Sequence, residues 1–526
     1  MAVHACGHRL FADLLAEKVV AHPDKDFVIH EDGQGRISTL SYAQFAGQVD
    51  RLCNSMLASG VLPGQTIALM MGNCPAFLVA WMAINQAGAV MVPVNVFYVA
   101  DELKYLLSNA ECVGFIAEEK FTDLFEQVAP ACPQVLIRIC TQTADPPLGF
   151  ELLDQVLARA ETAHRVVRVL PQAPAQIIFT SGTTSRPKGA VISHQASLMQ
   201  GLAVSQSLGM SPEERSAVVL PLFHVNGQYV SVIPTLTVGG TVVLLETYSA
   251  SRYWEQVRRH DCTFISIVPM QLRTLLAQPE HPDDASHRIR VSFYALPTTD
   301  EEWDRFEKRF GVKLVEGYGL SETLGICTVN PLYGKLKRHC IGLPLLGREV
   351  RVTDDAGQDL SSGQVGRILV RGEPMFSGYF RNDEATRACM LEGGWFDTGD
   401  NGSLDEGGYL HFFDRSKDVI KRAGENIAAT EVERVLNEHP GIAESAVISV
   451  PDPLRDEAVK AFVVLRPGVH LDAAEVQAWC AQHLAKFKVP SFVEFIGELP
   501  KTSIGKIVKY ILKRYHCHEK NLPRNH

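Results

Sequence analysis

Between Gln176 and Glu316 the chain repeats one pattern, a short apolar run followed by a helix-compatible stretch. The runs are QIIFT (176–180), SAVVL (216–220), GTVVLL (240–245), FISIV (264–268), VSFYAL (291–296) and VKLVE (312–316). Between them lie helical stretches at Ser193–Met210, around Arg252–Arg259 and at MQLRTLLAQ (270–278), and a helix ending at Phe310 that Thr299 and Glu302 open as a capping box. Strands separated by helices pair in parallel through crossovers, and helices then cover both faces of the sheet. The fold class is therefore α/β, and ligands should gather at the carboxyl ends of the strands.

A chain of 526 residues is too long for one ordinary domain. From about 341 to 413 the pattern turns to short strands with Gly-rich bends, EVRVTD, GRILVRG and YLHFFD, which predicts a small β unit. After Asp414 a new α/β pattern begins. The expected organisation is a large N-terminal domain, 1–416, of mixed, mostly parallel sheets sandwiched by helices with a β-rich subdomain at about 341–413. A small mobile α/β domain, 417–526, follows, with the linker near Ser416–Asp418. The hydrophobic share of 46% is ample for a large core, which excludes disorder, and the formal charge of −10 argues against nucleic acid or an anionic membrane as partner.

No charged residue occurs from Gln65 to Ala100, yet Gly72, Asn73 and Pro75, then Asn85, Gln86 and Gly88, interrupt the run. A membrane span needs about 20 predominantly apolar residues. The expectation is instead strand, buried helix and strand. The twelve cysteines form no C-x-x-C pair and read as small reduced hydrophobes. Cys517, flanked by His516 and His518, reads as part of a solvated tail rather than a metal site. With no secretory leader and no terminal targeting tripeptide, the expected compartment is the cytoplasm.

The strand QIIFT runs directly into SGTTSRPKG. Thr180, Ser181, Thr183 and Thr184 supply hydroxyls, Gly182 and Gly189 permit close backbone approach, and Lys188 adds a positive charge. Together they suit a cradle for phosphate oxygens. A P-loop needs G-x-x-x-x-G-K-[ST], and here Lys188 follows Pro187 and precedes Gly189, so that reading fails. Taken alone the loop would pass for a surface turn. Further on, EGYGLSE (316–322) offers Tyr318 as a flat face for a base and Glu322 as a carboxylate for Mg2+. GWFDTGD ends in Asp400, suited to accept hydrogen bonds from ribose hydroxyls. Each carboxylate alone would pass for a solvated or turn residue, and His224 alone for a satisfied buried histidine.

FTSGTTSRPKG, PLFHVNG, EGYGLSET, GWFDTGD, DRSKDVIKRAGEN and PKTSIGK, in this order along nearly the whole chain, resemble the adenylate-forming superfamily of acyl-CoA synthetases, adenylation domains and luciferases. The resemblance implies ATP, Mg2+ and coenzyme A as co-substrates and cofactor, with a small carboxylic acid as the partner. It makes Thr180, Ser181, Gly182, Thr183, Thr184 and Lys188 the phosphate loop. Gly317, Tyr318 and Gly319 become the adenine segment, Thr323 a phosphate contact, and Glu322 with Thr180 the Mg2+ ligands. Asp400 becomes the ribose clamp and Arg415 a second nucleotide contact. Lys506 becomes the lysine bridging carboxylate and ATP, Lys417 the hinge, and His224 the gate between thiol tunnel and acyl pocket. Ala423–Asn426, including Gly424 and Glu425, becomes the loop lining the tunnel. Three positions depart from the family pattern: Ser185 and Ala423 stand where glycine is usual, and Ala295-Leu296-Pro297 replaces Gly-Ala-Pro.

Within the superfamily, TSGTTSRPKG, YSASRYWEQV, LRDEAVKAF and LAKFKVPSF most resemble carnitine- and crotonobetaine-CoA ligases. The expected reaction is ATP-dependent ligation of such an acid, or of a short- or medium-chain fatty acid, to CoA. An acyl-AMP ligase loading a separate carrier protein is the alternative, and a catalytically dead binding protein a third reading that the intact Lys188, Glu322, Asp400 and Lys506 oppose. A trimethylammonium group would want an aromatic or acidic cage, for which Phe223, Phe293, Tyr294 and Glu316 lie on suitable segments. The oligomeric state stays open, a homodimer among the options.

Overall fold

The computed structural model describes residues 6–180, 187–295, 300–338, 340–354, 356–415 and 419–500, with Ile507, Lys509, Leu512 and Lys513. The chain divides into two compact units. The first runs to Asp414, except for Phe97–Tyr105 and Thr180–Lys188, which belong with the second; the second takes over from Arg415. The expected linker at Ser416–Asp418 lies outside the described residues, as does Thr299 of the expected capping box.

Two large sheets form the body of the first unit. One has seven strands in the order Glu151–Leu152, Ile137–Thr141, Gly114–Glu118, Thr66–Met70, Val90–Pro93, Pro174–Thr180, Lys188–Ser193. The other has nine, in the order Leu343–Pro344, Thr328–Val329, Leu314–Tyr318, Val291–Tyr294, Phe264–Ile267, Arg215–Val218, Thr241–Leu245, Asp26–Glu31, Ile37–Ser41. Its central pairings are parallel, and antiparallel strands close both edges. The strands Thr66–Met70 and Thr241–Leu245 are buried throughout. That burial on both faces explains why these runs read as continuous hydrophobes rather than as an alternation.

The uncharged stretch resolves as expected: strand Thr66–Met70, helix Pro75–Gln86 with proline at its start, and strand Val90–Pro93. Every residue from Phe77 to Gln86 is buried, so no charge can be tolerated there. No helix among the described residues is long and apolar enough to cross a membrane. All eleven described cysteines are buried and free. Cys517 lies outside the described residues.

Asn73, just past the carboxyl end of Thr66–Met70, ties the two sheets together. Its Nδ2 donates to the carbonyls of Leu220 and Leu245, both at 3.2 Å, and its Oδ1 accepts from the Leu222 backbone N–H at 2.9 Å. The carboxyl ends of strands from both sheets are thus joined through one buried amide whose polar atoms are satisfied. A third, antiparallel sheet of five strands contains Arg348–Thr353, Gly366–Gly372, Met390–Leu391, Trp395–Leu404 and Leu410–Arg415.

The second unit carries its own five-stranded sheet, in which the antiparallel pair Ile442–Asp452 and Asp456–Leu465 is central and Phe492–Phe495 adds in parallel. Helices Ala429–Asn437 and Ala473–His483 supply Val432, Leu436, Val476 and Cys480 to its core. The hairpin between Val419–Arg422 and Glu425–Ala428 turns through Ala423 and Gly424, at φ of 51° and 87°. Two consecutive left-handed residues are what a tight two-residue hairpin loop demands. For alanine that conformation costs about 1–2 kcal/mol. The hairpin is held from outside by the Ala423 N–H on the Arg455 carbonyl (2.9 Å) and the Arg422 guanidinium on the carbonyls of Phe487 (2.7 Å) and Val489 (3.2 Å).

Candidate active site

The site in the first unit is organised by the strand Leu314–Tyr318. Side chains alternate along a strand. Leu314 packs with Tyr294 in one core, and Val315 with Phe293 in another, so the two faces are distinct. Glu316 and Tyr318 share the face of Leu314, whereas Gly317 lies on the opposite face, where a Cβ would come within 2.6 Å of the Phe293 ring. Phe293 and Tyr294, adjacent in one strand, therefore point to opposite faces. A single cage built from Phe223, Phe293, Tyr294 and Glu316 is excluded by this alternation.

On the Tyr318 face the phenol donates to Asp400 Oδ2 at 2.6 Å, while the Asp400 backbone N–H is held by Thr398 Oγ1 at 3.1 Å. Burial and then the Asp400 carboxylate push the Tyr318 hydroxyl well above the usual tyrosine range, so it stays a donor. Gly319 is dictated by packing: a Cβ there would meet the Gly325 carbonyl at 2.5 Å. Three residues further, Glu322 Oε1 accepts from the Tyr379 hydroxyl at 2.7 Å. Its Oε2 has no hydrogen-bond partner among the described residues. Thr323 Oγ1 accepts from the Leu320 N–H at 2.8 Å, capping the turn Ser321–Thr323. Tyr318, Glu322, Thr323 and Asp400 are thus gathered at the carboxyl end of one strand of the mostly parallel sheet.

Glu316 is buried among apolar neighbours and its carboxyl finds no hydrogen bond among the described residues. Burial pushes it from the usual 4.5 up to about 7. Between those values the folded state holds a proton that the unfolded chain has lost, so stability falls as pH rises through that window. The full effect is roughly 3 kcal/mol, since each tenfold change in proton affinity is worth about 1.4 kcal/mol. Glu316→Gln should raise Tm by several degrees at about pH 8 and leave it unchanged near pH 4. Equal Tm values at both pH values would overturn this.

His224 precedes a π-helical segment, Asn226–Val232, and its ring lies 4.7 Å from that of Phe223. Such segments frequently occur at functional sites. A buried polar chain supports this one. Tyr229 OH donates to Gln176 Oε1 (2.7 Å), Gln176 Nε2 to Gln228 Oε1 (2.8 Å), and Gln228 Nε2 to the Leu222 carbonyl (2.6 Å). The chain links the strand Pro174–Thr180 to the segment that carries His224. Sequence reasoning passed over Gln176, Gln228 and Tyr229. Their signal was polar side chains inside otherwise apolar runs.

In the second unit, Thr180 Oγ1 lies 3.5 Å from the Lys188 carbonyl, at the limit of a hydrogen bond, and Tyr105 OH donates to the Pro187 carbonyl at 3.0 Å. Gly189, at the start of the first unit's next segment, has a packing role that the sequence did not show. A Cβ there would come within 2.6 Å of Ile177, so strand packing by itself calls for the glycine. Ser181, Gly182, Thr183, Thr184, Ser185, Lys417 and Lys506 lie outside the described residues, as do the side chains of Arg415 and Asn426. Gly424 and Glu425 stand at the clamped hairpin described above.

An aromatic, two carboxylates and a capped turn at the carboxyl end of a parallel sheet are the equipment of a nucleotide-using α/β enzyme. The chain belongs to the AMP-binding enzyme family: that family's model matches residues 15–380, and the model of the AMP-binding enzyme C-terminal domain matches residues 431–506. It is an acid–thiol ligase of the adenylate-forming kind. A crotonobetaine/carnitine–CoA ligase of Salmonella heidelberg is 36% identical over 497 residues, covering 93% of this chain and 96% of the relative. Among solved structures, an o-succinylbenzoate CoA synthetase double mutant of Bacillus subtilis superposes with a TM-score of 0.84 at 26% identity, covering 95% of this chain and 98% of the other. The amide bond synthetase McbA of Marinactinospora thermotolerans gives 0.85 at 27% identity, covering 96% and 99%.

Proposed function

We propose that the protein joins a short quaternary-ammonium acid, of the crotonobetaine or carnitine type, to coenzyme A by way of an acyl-adenylate. The observation that supports this substrate class is the likeness to crotonobetaine/carnitine–CoA ligases along 93% of the chain. In the first half-reaction a carboxylate oxygen attacks the α-phosphorus of ATP and pyrophosphate leaves. Tyr318 stacks on the base and orients Asp400, whose remaining acceptor capacity takes the ribose hydroxyls. The open Oε2 of Glu322 is a hard oxygen donor of the kind Mg2+ selects, so Glu322 would hold the ion. When bound, Mg2+ neutralises charge on the phosphate oxygens. Lys506 neutralises charge at the reacting carboxylate. In the second half-reaction the thiol sulfur attacks the acyl carbon, the carbon–oxygen bond to phosphate breaks, and AMP leaves. His224 gates the route of the thiol. Reduced, buried cysteines suit a cytoplasmic enzyme.

The test is AMP release with MgATP and CoA against carnitine, crotonobetaine, γ-butyrobetaine and straight-chain acids of increasing length. Turnover on the quaternary acids at least 10-fold above the alkyl acids is expected, the discrimination that about 1.4 kcal/mol of differential binding gives. Preference for plain alkyl acids overturns the substrate class and leaves the ligase class standing. Adenylate that accumulates and does not pass to CoA would favour a different acceptor, as the likeness to an amide bond synthetase also allows.

A further inference from the structure

Arg348 opens the strand Arg348–Thr353 and is almost wholly buried. Its Nη2 donates to the Thr323 carbonyl at 2.7 Å and to Gln200 Oε1 at 3.0 Å. No carboxylate pairs with it among the described residues, and its Nε and Nη1 have no hydrogen-bond partner there. Burial of a guanidinium without a counter-ion is costly, and even the ordinary arginine value is pulled down, to about 10, by that burial. A residue so placed needs a reason beyond filling space, since a methionine would fill it more cheaply.

The reason lies in what the pair holds. Gln200, fully buried on the helix His194–Ser207, turns its Nε2 to the carbonyls of Leu324 (3.0 Å) and Ile326 (2.9 Å). The Phe376 N–H takes the Glu322 carbonyl at 2.9 Å. The carbonyls of residues 322, 323, 324 and 326 are therefore each engaged by a group from a distant part of the chain. The segment needs such restraint. Leu324 sits at φ 54°, a left-handed conformation that leucine disfavours, and Gly325 follows at φ 93°. Left to itself this turn would relax, and Glu322 and Thr323 would move with it.

We propose that Arg348 and Gln200 form a buried brace that positions Glu322 and Thr323 for the metal–nucleotide, with Arg348 a positioning residue whose fixed positive charge is balanced when the anionic nucleotide binds. This rests on the assignment of Glu322 as the Mg2+ ligand. The brace is not interchangeable with a lysine: the planar guanidinium points the two N–H bonds of Nη2 at both acceptors in fixed directions, whereas an ammonium is a point charge on a flexible stem.

The experiment measures MgATP binding by calorimetry and the Mg2+ concentration for half-maximal acid-dependent pyrophosphate exchange, in the full chain. Arg348→Met should weaken MgATP binding at least 10-fold and shift the Mg2+ midpoint upward at least 3-fold, with Arg348→Lys in between. Gln200→Leu, which leaves the charge and removes two tethers, should shift the Mg2+ midpoint and raise KM for ATP more than it lowers kcat. If Arg348→Met is not folded by near-ultraviolet circular dichroism, Arg348→Lys and Gln200→Leu decide by the same readouts. Glu322→Gln in the same assays separates the two ideas. An unmoved Mg2+ midpoint in Glu322→Gln removes the metal assignment and the proposal with it. A moved midpoint in Glu322→Gln, with unaltered Mg2+ and ATP dependence in the Arg348 and Gln200 variants, leaves the assignment standing and overturns the brace.

Discussion

Lys506→Ala should lower acid-dependent pyrophosphate exchange by about 10²–10³-fold, the scale on which removal of one preorganised charge-stabilising group acts. Thioester formation from supplied acyl-adenylate and CoA should stay near the parent rate. The asymmetry follows from where charge builds up. In adenylation an anionic carboxylate approaches an anionic triphosphate, and the barrier is mostly their repulsion; a compact ammonium between them relieves it. In thioesterification the leaving group is AMP and the nucleophile a thiol, so the same ammonium has no repulsion of that size to relieve. Described residues on both sides of Lys506 are anchored within the second unit. Leu499 before it, and Ile507 and Leu512 after it, join a small core with Ile448, Val450 and Phe462, and Lys509 pairs with Glu433 Oε1 at 2.7 Å. Lys506→Arg should recover only part of the rate, because a planar guanidinium presents its charge differently. Equal losses in both half-reactions, at unchanged Tm, would refute the assignment of Lys506 to the first.

The large architecture was legible because it is repetitive. GTVVLL and FISIV each announce a strand buried on both faces, and the helices between the strands of the nine-stranded sheet fit parallel crossovers; QIIFT, read as part of the same repeat, pairs instead in the seven-stranded sheet and is only half-buried at Phe179 and Thr180. The interruptions at Gly72, Asn73 and Pro75 and at Asn85, Gln86 and Gly88 marked the strand, helix and strand within Gln65–Ala100. The motif residues Glu322 and Asp400, singled out in the sequence, are brought together with Tyr318 at the end of one strand. What supports them was not legible. Tyr379 reaches Glu322 from 57 positions away, and Asp400 meets Tyr318 across 82. No local pattern marks such partners, because they are chosen by tertiary proximity alone. Faces were misjudged for a related reason: Phe293 and Tyr294 look equivalent as neighbouring aromatics, and only the strand register sends them apart. Gly189 shows the same ambiguity at the level of one residue, since a glycine beside a hydroxyl-rich loop suggests a ligand, while its packing against Ile177 has no signal in the sequence.

A lysine to which the sequence assigns no chemistry, Lys488 of LAKFKVPSF, carries the largest expected effect on stability. Within the second unit its Nζ donates to Glu102 Oε1 at 2.5 Å and Glu431 Oε1 at 2.9 Å, and the Tyr98 ring lies 5.1 Å away. All three charged side chains are at most 7% exposed. Burial works against the Lys488 ammonium, but Glu431 and Glu102 outweigh it and hold it charged above the ordinary lysine range. For Glu102 burial is the largest influence, with Lys488 opposing and Glu431 adding, and its carboxyl is raised. One cation thus holds two buried carboxylates together. Lys488→Met removes it and leaves two like charges in a low-dielectric interior, a change that should cost about 3–5 kcal/mol. Calorimetry of the full chain at about pH 8 should show the corresponding transition lowered by roughly 10 °C or more. The deficit should shrink on acidification toward about pH 5, because the Glu102 carboxyl, already raised by burial, takes up a proton that the unfolded chain binds less readily, so that stability is regained as pH falls. Adding Glu102→Gln and Glu431→Gln to Lys488→Met should recover much of the loss at pH 8, since an uncharged trio escapes the repulsion. Should Lys488→Met unfold at the parent temperature at both pH values, the cluster would be without energetic consequence, and its burial would then have to be explained by something other than the mutual compensation of its charges.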